Sequence, residues 1–269
     1  MTLVMGIVNV TPDSFSDGGR YADHNAAIAH GLRLRADGAD LLDVGGESTR
    51  PGAERITETE EQARILPVVE ALADAGAIVS VDTMNAATAI AAVRAGALII
   101  NDVSGGLADP GMLAGVAELD ADIVLQHWRG HSADMYGAAV YDDIVAEVVG
   151  ELGVRVDAAR VAGIPDERII VDPGFGFGKT PEQNWEVVRG LSRLTEDGRR
   201  VLIGTSRKRM LDVAAGAAGI VLESEADRDI ATAVTSVLAA QAGAWAVRVH
   251  DVARTRIALA VREAWEGEA

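Results

Sequence analysis

The sequence predicts the α/β class and, within it, a single-domain (β/α)8 TIM barrel with two long active-site loops. Short β-rich apolar runs alternate with longer stretches of 3.6-residue periodicity, and the alternation repeats eight times. Regular β-then-α order implies parallel strands, because each return to the same edge needs a helical crossover. The length of 269 residues suits eight such units, which take roughly 250 residues. A doubly wound open sheet has the same alternation, and periodicity alone does not separate the two. No linker, low-complexity tract or charge block divides the chain, so one domain over 1–269 is expected.

In order, the apolar run Leu3–Val8 is the first strand, and the amphipathic stretch from about Asn25 to Ala36 is its helix. Leu41–Val44 with Glu58–Ala75, Ile78–Val81 with Ala86–Ala95, and Leu98–Ile100 with Pro110–Leu119 complete the first half. The second half reads as Ile123–Leu125 with Tyr141–Ala162, then Ile169–Val171 with Pro181–Leu194, where proline suits a first helical position. Val201–Ile203 with Ala226–Ala242 and Ala246–Val249 with Ala253–Trp265 close the count. Two connections are long and polar, Thr11–Asp23 and Gly45–Thr57. On a compact barrel such loops are expected to act as mobile lids.

Composition narrows the function classes. Lysine and arginine number 24 against 41 aspartates and glutamates, for a net charge of −17. So acidic a chain argues against nucleic acid or an anionic membrane as partner. Hydrophobic residues make up 49% and aromatics only 4%, so an ordered, aliphatic core is expected. Cysteine is absent, which removes disulfides, thiolate metal sites and cysteine nucleophiles. No apolar run approaches the roughly 20 residues of a membrane helix, and no basic leader pattern opens the sequence. A cytoplasmic protein is expected.

In a barrel, residues just after each strand crowd onto one face, where barrel enzymes keep their chemistry. Here those residues are Asn9, Asp43 with Glu47–Arg50, Asp82, Asn101 with Asp102, His127, Asp172, Ser206–Lys208, and Arg248 with His250. Helix capping accounts for some aspartates, asparagines and serines. It does not require Lys208, Arg248 or His250, and Asp82, Asn101 and Asp172 directly end apolar runs. A functional cluster follows, with Lys208, beside Arg207 and across the mouth from Arg248, suited to bind an anion or stack on a flat ligand.

Common motifs fail on spacing. Asp172–Thr180 has proline at 173 where a phosphate-binding loop needs its first glycine, although two of the chain's three phenylalanines, Phe175 and Phe177, suggest an apolar wall there. Gly204–Lys208 lacks the last glycine of a nucleophile elbow. His127 and His131 have no third ligand in view, so a packed or exposed histidine is expected rather than zinc.

Taken together, Met5–Gly19, Asp43–Gly52, Val81–Thr83, Ile100–Gly106, Asp172–Lys179, Ser206–Lys208 and Arg248–Val252 resemble the dihydropteroate synthase family. The resemblance runs from the first strand to the eighth. It implies a folate-biosynthesis transferase that condenses 6-hydroxymethyl-7,8-dihydropterin diphosphate with p-aminobenzoate, giving 7,8-dihydropteroate and diphosphate. It also implies site roles. Asp82, Asn101 and Asp172 would bond the pterin edge, Lys208 would pack over the pterin, Arg248 and His250 would bind diphosphate, and Thr49 would lie near the leaving group. Arg50, Pro51, Phe175 and Ser206 would neighbour p-aminobenzoate, and Asn9 would contribute to a magnesium site. Asp82, Lys208, Arg248 and His250 are the expected catalytic residues, and a homodimer is implied. Gln126 departs from the methionine common in the family, and Leu211–Glu225 carries no family motif. Related readings are a corrinoid methyltransferase barrel, a Schiff-base aldolase using Lys208, and a non-catalytic paralogue.

Overall fold

The structure is a computed structural model and describes residues 1–10, 19–47, 56–130, 139–196 and 198–267. Eight strands, β1 (Leu3–Asn9), β2 (Leu41–Gly45), β3 (Ile78–Asp82), β4 (Ile99–Asp102), β5 (Asp122–Gln126), β6 (Ile169–Asp172), β7 (Arg200–Ile203) and β8 (Ala246–Val249), pair in chain order. All pairs are parallel, and β8 closes on β1. An open sheet would leave β1 or another strand at an edge, whereas β1 is paired on both sides.

The helices are α1 (Gly19–Ala36), α2 (Glu58–Asp74), α3 (Ala86–Arg94), α4 (Met112–Ala117), α5 (Ile144–Val161), α6 (Pro181–Arg189), α7 (Ser192–Thr195), α8 (Arg209–Ala217), α9 (Glu225–Gln241) and α10 (Val252–Glu266). They depart from the pattern read in sequence at three places. Helix α1 begins at Gly19, so the connection after β1 is shorter than expected. The stretch Pro181–Leu194 is two helices, because Gly190 ends α6 where a Cβ would lie 2.5 Å from Val145. Helix α8 was not foreseen; its buried Met210 and Leu211 hold it to the barrel. No helix among the described residues is long and apolar enough to cross a membrane.

Strand parity builds the interior. Met5, Leu41, Ile99, Val124, Ile170, Leu202 and Ala246 form an apolar plug inside the barrel, each such side chain contributing about 1.5–3 kcal/mol when a large aliphatic is fully buried. Since side chains alternate with period two, the residues two positions onward point to the same interior, one layer nearer the strand C-termini. Those residues are Ile7, Asp43, Asn101, Gln126, Asp172, Gly204 and Arg248. The plug is thus roofed by polar groups. At the opposite end, Arg200 pairs with Asp122 at 2.7 Å and lies 5.2 Å from the Trp245 ring. Helices pack their apolar faces on the outside of the strands, in a second, larger core.

Candidate active site

Asp43 sits at the centre of the roof, fully buried. Its carboxylate accepts from Ser80 Oγ at 2.6 Å, Asn101 Nδ2 at 3.1 Å and Arg248 Nε at 2.6 Å. Three donors offset the desolvation that would otherwise make a buried carboxylate costly. Arg248 extends the set, donating from Nη2 to Asp82 Oδ2 at 3.0 Å. β2, β3, β4 and β8 therefore meet in one hydrogen-bonded network, at the strand ends where the sequence placed its polar residues.

The network is asymmetric. Burial pushes the Asp82 carboxyl above the usual range; Arg248 pulls it back, and Asp43, Glu61 and Asp102 push it up again. Burial likewise works against the Arg248 charge, but the two aspartates outweigh it and its pKa rises. Asn101 is buried, and its Oδ1 has no hydrogen-bond partner among the described residues. Such an acceptor costs about 1–3 kcal/mol until a donor meets it.

Across the mouth, Asp172 accepts the Gly174 N–H at 2.7 Å. Burial raises its pKa, and the Lys208 charge counters the rise. Lys208 is brought down to about 8, chiefly by burial, with Asp172 resisting. Its ammonium donates to the Phe175 carbonyl and lies 4.9 Å from the Phe177 ring. Ser206 Oγ sits 2.8 Å from His250 Nδ1 and accepts the His250 backbone N–H at 3.1 Å, holding that ring from two sides.

Asn9 stands exposed at the C-terminal end of β1. Among the described residues no cluster of three or more histidine, cysteine or acidic side chains is suited to a metal. Thr49, Arg50 and Pro51 lie outside the described residues, as do 11–18 and 48–55 of the two long connections and His131. The two phenylalanines of the 172–180 connection are placed differently. The Phe175 ring is fully buried in the core while its carbonyl accepts from Lys208, and the half-buried Phe177 ring lies beside the Lys208 ammonium.

A family model described as pterin binding enzyme matches residues 5–250. A dihydropteroate synthase from Mycobacterium leprae (strain TN) is 51% identical over 264 residues, covering 97% of this chain and 93% of that relative. The chain belongs to the dihydropteroate synthase family. A family member from Bacillus subtilis (strain 168) is 44% identical over 253 residues, 93% of this chain and 84% of its own. The solved Xanthomonas albilineans dihydropteroate synthase with 4-aminobenzoic acid superposes with a TM-score of 0.90 at 48% identity, covering 98% of this chain and 93% of that one. The same enzyme in complex with 7,8-dihydropteroate gives 0.87 at 45% identity, covering 98% and 94%. These synthases displace the methyltransferase and aldolase readings.

Within a dihydropteroate synthase mouth, one residue escaped the site expected from sequence, and two others support the loop beside it. Asp43, the hub, was visible as a polar strand end but was given no role; a carboxylate at an inward strand position was the available signal. Lys179 is almost wholly buried and donates to the Gly174 and Phe177 carbonyls, both at 3.1 Å, so it braces its own loop instead of meeting a phosphate. His127 lies with Nδ1 2.9 Å from Lys179 Nζ and Nε2 3.0 Å from Glu151 Oε2. Burial and then the Lys179 charge push it down to about 2, so it packs as a neutral ring. Gln126 is buried and donates to the Val103 carbonyl at 3.3 Å, which anchors the residue that departs from the family.

Proposed function

We infer that the polar roof of this barrel is where the chain condenses 6-hydroxymethyl-7,8-dihydropterin diphosphate with p-aminobenzoate, yielding 7,8-dihydropteroate and diphosphate. The single observation that carries the reading is the unpartnered Asn101 Oδ1 in the same roof as the Asp43 and Asp82 carboxylates. A pterin edge offers N–H donors and ring acceptors side by side, which amides and carboxylates match. Asp82, Asn101 and Asp172 hold that edge, and Lys208 packs over the ring.

The C–O bond to diphosphate breaks first, its electron pair leaving with the diphosphate, and the pterin carries the resulting cation. The aminobenzoate nitrogen then bonds to that carbon and sheds one proton. Arg248 and His250 counter the charge growing on the leaving oxygens, with Ser206 fixing the His250 ring. The Asp82 carboxylate favours the cation electrostatically. The Phe177 ring, beside Lys208, and Ser206 serve the aminobenzoate side of the mouth; the roles expected of Arg50 and Pro51 toward aminobenzoate, and of Thr49 toward the leaving group, fall outside the described residues. Water has to be kept from the cation, which it would otherwise consume.

Magnesium, when bound, neutralises diphosphate charge. The donor set suits it, because Asn9 offers one amide oxygen at an exposed strand end, and magnesium keeps several waters while phosphate oxygens supply most of the rest. The chain pairs as a homodimer through α9 and α10. Ile230, Val234 and Leu238 on α9 and Ile257, Val261 and Trp265 on α10 are exposed at four-residue spacing, on helices packed side by side.

Supplying both substrates with magnesium and following diphosphate and dihydropteroate together tests the reaction. Both products should appear in equal amounts, and chelation of the metal should abolish turnover. Folded protein that forms neither product would overturn the reading.

A further inference from the structure

Among the described residues, Arg207 alone has a positive φ without being glycine, at 56°. That left-handed backbone suits glycine and crowds the Cβ of any other residue. Something outside the residue must hold it. Arg207 Nε donates to Asp229 Oδ1 at 2.7 Å and Nη2 donates to Asp229 Oδ2 at 2.8 Å, the two-pronged geometry in which a guanidinium meets a carboxylate best. Nη1 lies 2.7 Å from Glu225 Oε2, and the Arg207 backbone N–H donates to Thr232 Oγ1 at 3.1 Å. All three partners belong to α9, and Asp229 is only 4% exposed. Arg207 is therefore turned away from the mouth that its two neighbours face, and its charge is matched by carboxylates on α9.

Those neighbours are Ser206, which grips His250 by Nδ1 and by its backbone amide, and Lys208, which reaches the Phe175 carbonyl and the Phe177 ring. Lys208 also ends the turn, its N–H donating to the Thr205 carbonyl at 3.1 Å, and it precedes the first residue of α8. A left-handed residue between them bends the chain so that 206 and 208 serve two sides of one site. If residue 207 relaxed to a negative φ, both would be re-aimed.

We infer that Arg207 is a positioning residue: its grip on Asp229 of α9 keeps the 205–208 turn left-handed, and so sets Ser206 against His250 and Lys208 against the 175–177 loop. The inference rests on the proposed roles of Ser206, Lys208 and His250. It gives Arg207 no contact with substrate. A glycine would adopt this φ unaided, whereas any other residue needs an outside hold, and here the α9 carboxylate supplies it.

The test compares Arg207→Ala with Arg207→Gly, since both delete the tether and the charge and differ only in backbone preference. Steady-state kinetics on both substrates are read alongside circular dichroism and thermal melting. Arg207→Ala should lose about 10-fold in kcat/KM, the size of effect a strained left-handed residue can produce. Arg207→Gly should stay within about threefold of the unmodified chain for the same reason. Asp229→Asn, a milder change that leaves the arginine in place, should fall with Arg207→Ala. Equal losses in the alanine and glycine variants, or full activity in Arg207→Ala, would reduce the pair to a stabilising contact and overturn the inference. An unmodified chain that turned over neither substrate would overturn the functional reading instead, which keeps the two failures distinct.

Discussion

Asp43 and Asp82 share a single guanidinium, and the two carboxylates differ in how many other partners they have. Asp43 accepts three hydrogen bonds in full burial, while Asp82 has one contact with Arg248 and a carboxyl raised first of all by burial. Because its pKa is raised, the Asp82 anion grows in only as pH climbs past the ordinary carboxylate range, and is lost again as pH falls. A rate that depends on that anion should therefore decline on the acid side at a pH higher than the roughly 3.9 of a free aspartate. Asp82→Asn should lower kcat by about 100-fold, as removal of a charge-stabilising group does elsewhere, and should erase that acid limb. A variant with full kcat and an unchanged profile would remove the carboxylate from the mechanism. Asn101 offers a second check at the same scale. Asn101→Leu deletes the orphaned acceptor and one donor to Asp43, so the KM for pterin diphosphate should rise while that for p-aminobenzoate holds. The expected change is about 10-fold, the range of one hydrogen bond to a buried group; equal rises in both KM values would point to a collapsed roof.

The connection between β6 and α6 is the element on which both halves of the site depend. Gly174 has φ +67°, and a Cβ there would lie 2.3 Å from the His127 carbonyl oxygen. Lys179 closes the turn from below through two carbonyls, Tyr141 donates to the Gly178 carbonyl at 2.8 Å, and Asn184 accepts the Gly176 N–H at 2.8 Å. A reciprocal capping box between Thr180 and Gln183, with Pro181 behind it, then starts α6. Gly174→Ala should thus lower the melting temperature by several degrees, since the left-handed penalty of about 1–2 kcal/mol adds to a backbone clash. Its residual activity should show a raised KM for p-aminobenzoate, and an unaltered melting curve would mean that the loop reshapes at no cost. The same element shows where sequence reading stops. In β2, β4, β6 and β8, a place at the strand end was enough to gather Asp43, Asn101, Asp172 and Arg248, and period-two alternation then puts them in one layer above Leu41, Ile99, Ile170 and Ala246. In the 172–180 connection, glycines at 174, 176 and 178 all take positive φ, so parity is lost, and which phenylalanine faces the ligand is decided by bonds to distant residues. Helix α8 escaped for a related reason: Lys208 precedes it without a side-chain cap, and only Met210 and Leu211 mark a buried face.

Across the whole molecule, a net charge of −17 coexists with a mouth that must accept two anionic substrates, so attraction has to be local. Lys208 and Arg248 supply it, each within a low-dielectric roof where a single charge acts strongly over short range. The same excess of negative charge bears on association. Two copies brought together through the stripes on α9 and α10 repel one another at long range, while the stripes themselves gain by leaving water; Trp265, 87% exposed, has the most to bury. Monomers rarely keep apolar patches of this kind uncovered. The pair should therefore tighten as salt rises from low concentration toward about 0.15 M, where the screening length shortens to roughly 8 Å. Ile257→Glu with Val261→Glu places two further negative charges on the α10 stripe, far from any residue of the roof. Sedimentation should show a dimer for the unmodified chain and a monomer for the double variant, with turnover per chain retained because every strand of the mouth comes from one copy. A monomeric unmodified chain at micromolar concentration, or a double variant that still pairs, would place the self-association surface elsewhere.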